Sequence, residues 1–203
     1  VDISPERPER TFVFIHGFGG QAMQWQYQLH KFALKNRVIA LDMRGHGLSD
    51  KPSTGYDMPR IQLDLETVLA QLKVSTPFVL IGHSFGGAVV TEYALNHPDH
   101  VEKLIIIATA GEFKLKPLFK LALNLPASVL RLVGLFTRRW LHAPPHALRP
   151  FYLENLSQWV GWDRFEKLQV PTMVIRGHRD LVFDRLLFEK VAGSIPGAEE
   201  EDI

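Results

Sequence analysis

Five short apolar runs, alternating with longer segments of helical period, constrain this chain more than any other feature. They are TFVFI (11–15), RVIAL (37–41), PFVLI (77–81), KLIII (103–107) and PTMVI (171–175). Each is too short for a typical helix and is apolar almost without alternation, as strands covered on both faces are. Helical patterns lie between them. In residues 58–72, Ile61, Leu65, Val68, Leu69 and Leu72 fall on one face. A second helix is predicted over 85–96, stopped by HPD, and a third over about 181–192, ending at GSIPG. Strands alternating with helices predict an α/β fold, a mainly parallel sheet with helices on both faces.

One region breaks this rhythm. Residues 112–165 contain no strand-like run but much Leu, Phe, Trp, Pro and Arg. Helices are predicted at about 116–123 and 128–136, followed by the proline-punctuated stretch HAPPHALRPF. We read 112–165 as a helical cap inserted into a core made of 1–111 and 166–203, over the strand ends where open α/β sheets bind ligands. Its apolar residues, Phe113, Phe119, Phe136 and Trp140 among them, predict a roof over a pocket. Its basic residues, Lys114 to Arg139, form either the solvated side of cap helices or a face for an anionic ligand or interface.

Composition removes several function classes. With 23 Lys and Arg against 22 Asp and Glu, the chain lacks the basic excess of a nucleic-acid-binding domain. There is no cysteine, so disulfides, thiolate metal sites and a cysteine nucleophile are excluded. No apolar run is long enough to span a bilayer. A soluble, cytoplasmic protein with no integral membrane segment is expected.

The candidate chemistry sits in LIGHSFGG (80–87), directly after the third run and before an apolar helix. It matches the G-x-S-x-G elbow, in which glycines let a strand turn at once into a helix and present the serine. Ser84 is the candidate nucleophile. The other reading is a glycine-rich turn with an incidental serine. FIHGFGG (14–20) also follows a strand. Elbow enzymes take one oxyanion-hole N–H from the residue after the nucleophile and one from such a loop. Phe85 and Phe18 fit these positions through their backbone N–H groups. His16 is read as a residue holding the loop. Asp42, Arg44 and His46, in LDMRGHGLSDKP (41–52), are read as a network bracing theirs.

Together with VPTMVIRGHRDLV (170–182), these motifs resemble the α/β-hydrolase fold family, in the family's order and over nearly the whole chain. The similarity is to its capped esterases, epoxide hydrolases and C–C bond hydrolases, with 112–165 in the place of the variable cap. In the family's epoxide hydrolases the elbow residue is an aspartate. Ser84 instead implies acyl transfer through an ester-like intermediate. The resemblance puts the triad acid at Asp180, where a helix N-cap aspartate is the other reading. Glu112, after KLIII, is a weaker alternative. No metal or organic cofactor is implied.

The resemblance also implies chain order: serine, acid, then histidine. No histidine follows His178. The next strand is predicted around EEEDI, and the catalytic histidine is expected beyond Ile203. Small antiparallel strands at the N-terminus are expected to be missing, so the chain reads as a piece of a longer enzyme, nearly inactive alone. The function expected is cleavage of a carboxylic ester with an apolar acyl or alcohol part, on a small-molecule substrate. The alternatives are C–C hydrolysis of ring-fission diketones and a non-catalytic binding protein of the same fold.

Overall fold

The computed structural model of the chain describes residues 1–114, 121, 125, 129, 141–177 and 186–203. Its strands are β1 (Asp2–Ile3), β2 (Thr11–Ile15), β3 (Arg37–Leu41), β4 (Phe78–His83), β5 (Val101–Ile107), β6 (Thr172–Arg176) and β7 (Glu199–Asp202). They form one sheet in the order β1-β3-β2-β4-β5-β6-β7, parallel except at β1. The five predicted runs are its five central strands.

Burial on both faces explains the unbroken apolar runs. Successive residues of one strand serve two different cores. Val13, Ile15, Ile39, Leu80, Leu104 and Ile106 pack on one side of the sheet. Phe14, Val38, Ala40, Val79 and Ile81 pack on the other. Helix α1 (Gln26–Phe32) covers the second face through Leu29, helped by Trp25 just before it. Helices α2 (Met58–Gln71) and α3 (Phe85–Asn96) cover the first. In α2, Ile61, Leu65 and Leu69 turn inward, and Asp57 caps the N-terminus by accepting from the Arg60 N–H.

The edges differ from expectation. At the N-terminus, β1 pairs antiparallel with β3, Asp2 opposite Ile39, so one short antiparallel strand is present. Arg37 holds it with a bidentate contact to Asp2 at 2.7 and 3.0 Å. At the other edge, EEED does form the predicted strand. All four of its residues are exposed, and Arg176 pairs with Asp202 at 2.8 and 3.0 Å while Lys103 reaches Glu199 at 2.7 Å.

The stretch HAPPHALRPF is mostly helix rather than loop. Helix α4 (Pro145–Phe151) has Pro145 in its first turn, where a missing N–H is harmless, and Pro150 inside it. One wide π turn, Tyr152–Leu156, follows directly, and the Ser157 N–H bonds to the Tyr152 carbonyl at 2.9 Å. A short α5 (Trp162–Phe165) leads back to β6, and α6 (Leu186–Glu189) precedes β7. Apart from residues 121 and 129, the helices predicted at 116–123 and 128–136 lie outside the described residues, as does the start of the one at 181–192. Among the described residues no helix is long and apolar enough to cross a membrane.

Candidate active site

Ser84 stands between the last residue of β4 and the first of α3, with φ 51° and ψ −122°. A non-glycine residue in this region is strained by about 1–3 kcal/mol and persists only where its surroundings dictate it. Three hydrogen bonds do so. The Ser84 N–H donates to the Ile107 carbonyl at 2.8 Å, and the Ser84 carbonyl accepts from the Gly87 N–H and the Thr109 hydroxyl, both at 2.9 Å. Ser84 as a whole is half-buried.

The glycines flanking the turn permit a close approach of two strands' ends. A Cβ on Gly86 would lie 2.5 Å from the Ile15 carbonyl oxygen and 2.6 Å from that of His16. Both contacts are backbone and cannot swing aside. Gly86→Ala is therefore expected to destabilise the fold by about 3 kcal/mol, read as a lower urea midpoint at unchanged m-value. A Cβ on Gly17 would lie 3.0 Å from the Ser84 Cβ, so the loop after β2 passes directly beside the elbow serine. Phe18 follows Gly17 on that loop, and Phe85 follows Ser84. Among the described residues, neither of their N–H groups has a hydrogen-bond partner.

Two buried histidines hold this loop. His16 Nε2 accepts from the Met43 N–H at 2.9 Å, which leaves Nδ1 to donate to the Gly17 carbonyl at 2.8 Å. His46 Nε2 accepts from the Gly19 N–H at 3.0 Å, and its Nδ1 donates to the Arg44 carbonyl at 2.9 Å. Both rings are fully committed as neutral imidazoles. Burial is the main cause that lowers His16 to about 4 and His46 to about 3. Asp42 adds a third brace, its two carboxylate oxygens accepting from the Ala22 and Leu48 N–H groups at 2.7 and 2.9 Å. Arg44 turns away and meets Asp64 through two bonds of 2.7 Å. The bracing role expected of His16, Asp42, Arg44 and His46 agrees with these contacts.

Aromatic rings gather behind the elbow. Phe85 is fully buried, 5.4 Å from Phe113 and 5.3 Å from Phe151 between ring centres. Phe151, in α4, also lies 5.8 Å from Phe18 and 5.0 Å from His46. Nearby, the His142 N–H donates to the Gly19 carbonyl at 2.8 Å. Residues between 112 and 165 thus touch both the elbow and its neighbouring loop.

Other candidates fall elsewhere. Asp180 and His178 lie outside the described residues. Glu112 accepts from the Trp162 indole N–H at 3.0 Å and also pairs with Lys114. Those two contacts, Lys114 first, hold its carboxyl below the usual range. His97 and His100 flank the far end of α3, where His97 meets Glu66 at 2.9 Å and His100 meets the Tyr93 hydroxyl at 3.1 Å. Thr109 is the site residue that sequence reasoning overlooked. Its only signal is a small hydroxyl residue two positions beyond β5, opposite the glycines of the elbow.

A family model described as "alpha/beta hydrolase fold" matches residues 10–151. Human "Epoxide hydrolase 4" is 38% identical over 104 residues, 50% of this chain and 28% of that protein. Human "(Lyso)-N-acylphosphatidylethanolamine lipase" is 31% identical over 121 residues, 58% of this chain and 35% of that protein. The chain therefore matches only about a third of the length of these relatives. Among solved structures, an esterase from Exiguobacterium antarcticum aligns with a TM-score of 0.82 at 26% identity, covering 100% of this chain and 85% of that one.

Proposed function

The chain belongs to the alpha/beta hydrolase fold family, and from that premise we propose that it is a serine hydrolase cleaving carboxylic esters with an apolar acyl or alcohol part. The observation that carries this reading is Ser84 at a strained strand-to-helix turn, with the Gly17–Phe18 loop against it. A nucleophile must be held out where a carbonyl can reach it, and the positive φ of Ser84 at the strand-to-helix turn supports that reading.

The proposed steps follow from position. The Ser84 hydroxyl oxygen attacks the ester carbonyl and forms an acyl-enzyme, the alcohol leaves with a proton, and water then hydrolyses the acyl group. The Phe18 and Phe85 N–H groups receive the developing oxyanion, each worth on the order of 3 kcal/mol in the transition state. Asp180 orients the histidine that takes the serine proton. His16 and His46 are unsuited to that role, because both nitrogens of each ring are already engaged. The insertion roofs the pocket, a reading supported by Phe151 and His142 packing onto the Phe18 loop. The apolar load of 112–165 favours an apolar substrate group over a sugar.

One relative is named an epoxide hydrolase, whereas the elbow residue here is Ser84 in place of the aspartate that the resemblance associates with that chemistry. The two are separated by offering the full-length protein p-nitrophenyl butyrate and styrene oxide side by side. Turnover of the ester with no diol from the epoxide is expected. Diol formation without ester hydrolysis would refute the serine mechanism.

A further inference from the structure

The second glycine of the elbow pair has no conformational reason to be there. Gly87 is the third residue of α3 and has no positive φ, and glycine is among the poorest residues for a helix interior. Space explains it. A Cβ at residue 87 would overlap the Thr109 hydroxyl, with the Thr109 Cβ and methyl both 2.7 Å away. The glycine therefore admits one particular side chain against the first turn of α3.

Thr109 reaches that place through a second strained residue. Ile107, the last residue of β5, lies opposite His83. Ala108 then takes φ 46°, a left-handed conformation that is unfavourable for alanine and persists only where its neighbours impose it. Its N–H donates to the Ile175 carbonyl of β6 at 2.8 Å. The turn sets Thr109, only 2% exposed, onto the elbow, where its hydroxyl donates to the Ser84 carbonyl at 2.9 Å. The Ile107 carbonyl is farther, at 3.4 Å, so the one hydroxyl proton belongs to Ser84. The same carbonyl accepts from the Gly87 N–H at 2.9 Å, and two donors thus fix its direction.

The Ser84 carbonyl and the Phe85 N–H belong to one peptide group. That group is trans and planar, so its N–H points opposite to its C=O. Holding the carbonyl against Thr109 and Gly87 therefore aims the Phe85 N–H to the other side. A hydrogen bond on the C=O also polarises the amide and strengthens its N–H as a donor. We propose that Thr109 is a positioning residue of the oxyanion hole, aiming and polarising the Phe85 N–H through the shared peptide plane without touching substrate. The inference rests on the reading of Ser84 as nucleophile and of Phe85 as oxyanion donor.

The test compares Thr109→Val, Thr109→Ala and Thr109→Ser in the full-length protein. The substrate is p-nitrophenyl butyrate, and the inhibitor is an alkyl trifluoromethyl ketone, whose adduct with a serine carries an oxyanion. Thr109→Val keeps the shape but loses the proton. It is expected to lower kcat about tenfold, less than the loss from deleting an oxyanion donor outright. KM is expected to stay within about twofold, as for an interaction made in the transition state. The ketone is expected to bind more weakly by the same factor as kcat falls. Thr109→Ser, which restores the hydroxyl, is expected to recover most of both losses. Thr109→Ala is expected to repeat the result and decides the matter if Thr109→Val does not fold. Parental kcat in a folded Val or Ala variant, a rise in KM in place of the fall in kcat, or an equal loss in Thr109→Ser would overturn the proposal. Ser84→Ala, assayed alongside, separates the two failures. If it loses turnover while Thr109→Val keeps it, this proposal falls alone; if it keeps turnover, the reading of Ser84 falls and the proposal with it.

Discussion

Ser84→Ala in the full-length protein is expected to lower kcat/KM for an apolar p-nitrophenyl ester by about 10⁴-fold or more, with an unfolding midpoint close to that of the parent. Removing a nucleophile from a serine–histidine–acid set leaves only oxyanion stabilisation and binding, which retain a small part of the rate enhancement. The fold has little reason to respond. The bonds that impose φ 51° on residue 84 run through its backbone N–H and carbonyl, to Ile107, Gly87 and Thr109, and survive the loss of the hydroxyl. Ser and Ala carry the same Cβ and meet the same strain. A variant that folds normally and hydrolyses the ester at the parental rate would remove Ser84 from the mechanism.

Acid is expected to unfold this protein through His16 and His46. Burial sets both values, about 4 and about 3, well below the ordinary 6.5. Asp42 raises both, while His83 and His142 lower His16, and His16 and Lys51 lower His46. As pH falls below about 6.5, the unfolded chain binds protons that the folded imidazoles refuse, so stability is fully present above that value and declines toward pH 4 and below. Each histidine contributes up to about 1.4 kcal/mol per pH unit in this window, a total of several kcal/mol. Urea unfolding from pH 7 to pH 4 measures the slope. In His16→Gln/His46→Gln, whose side-chain oxygens can still accept from Met43 and Gly19, the slope is expected to fall by as much as two protons. An unchanged slope would mean that these rings protonate freely in the folded state.

The central strands were legible because burial on both faces leaves them no polar position, as in RVIAL, where Val38, Ile39 and Ala40 are all fully buried. Helix α3 was legible from its capping context, starting at Phe85 and ending before His97 and Pro98. Helix α1 was not, since QYQLHKF buries only Leu29 and carries no apolar stripe. The two-residue β1 owes its pairing to a tertiary partner: Arg37 captures Asp2 across 35 residues, which no local pattern encodes. The π turn after α4 escaped for a similar reason, because prolines at 144, 145 and 150 read locally as a break, while burial of Phe151 and Leu156 favours continued winding. In the site, the glycine motif announced Ser84 and its neighbours. Thr109 was invisible because its contact is with the Ser84 carbonyl, 25 residues away.

The most direct test of the central claim is peptide mass spectrometry of the full-length protein after treatment with a fluorophosphonate, which phosphonylates an activated serine. One adduct is expected, on the peptide containing Ser84, and none in Ser84→Ala. Absence of any adduct, or an adduct that persists in Ser84→Ala, would contradict the assignment of Ser84 as the nucleophile.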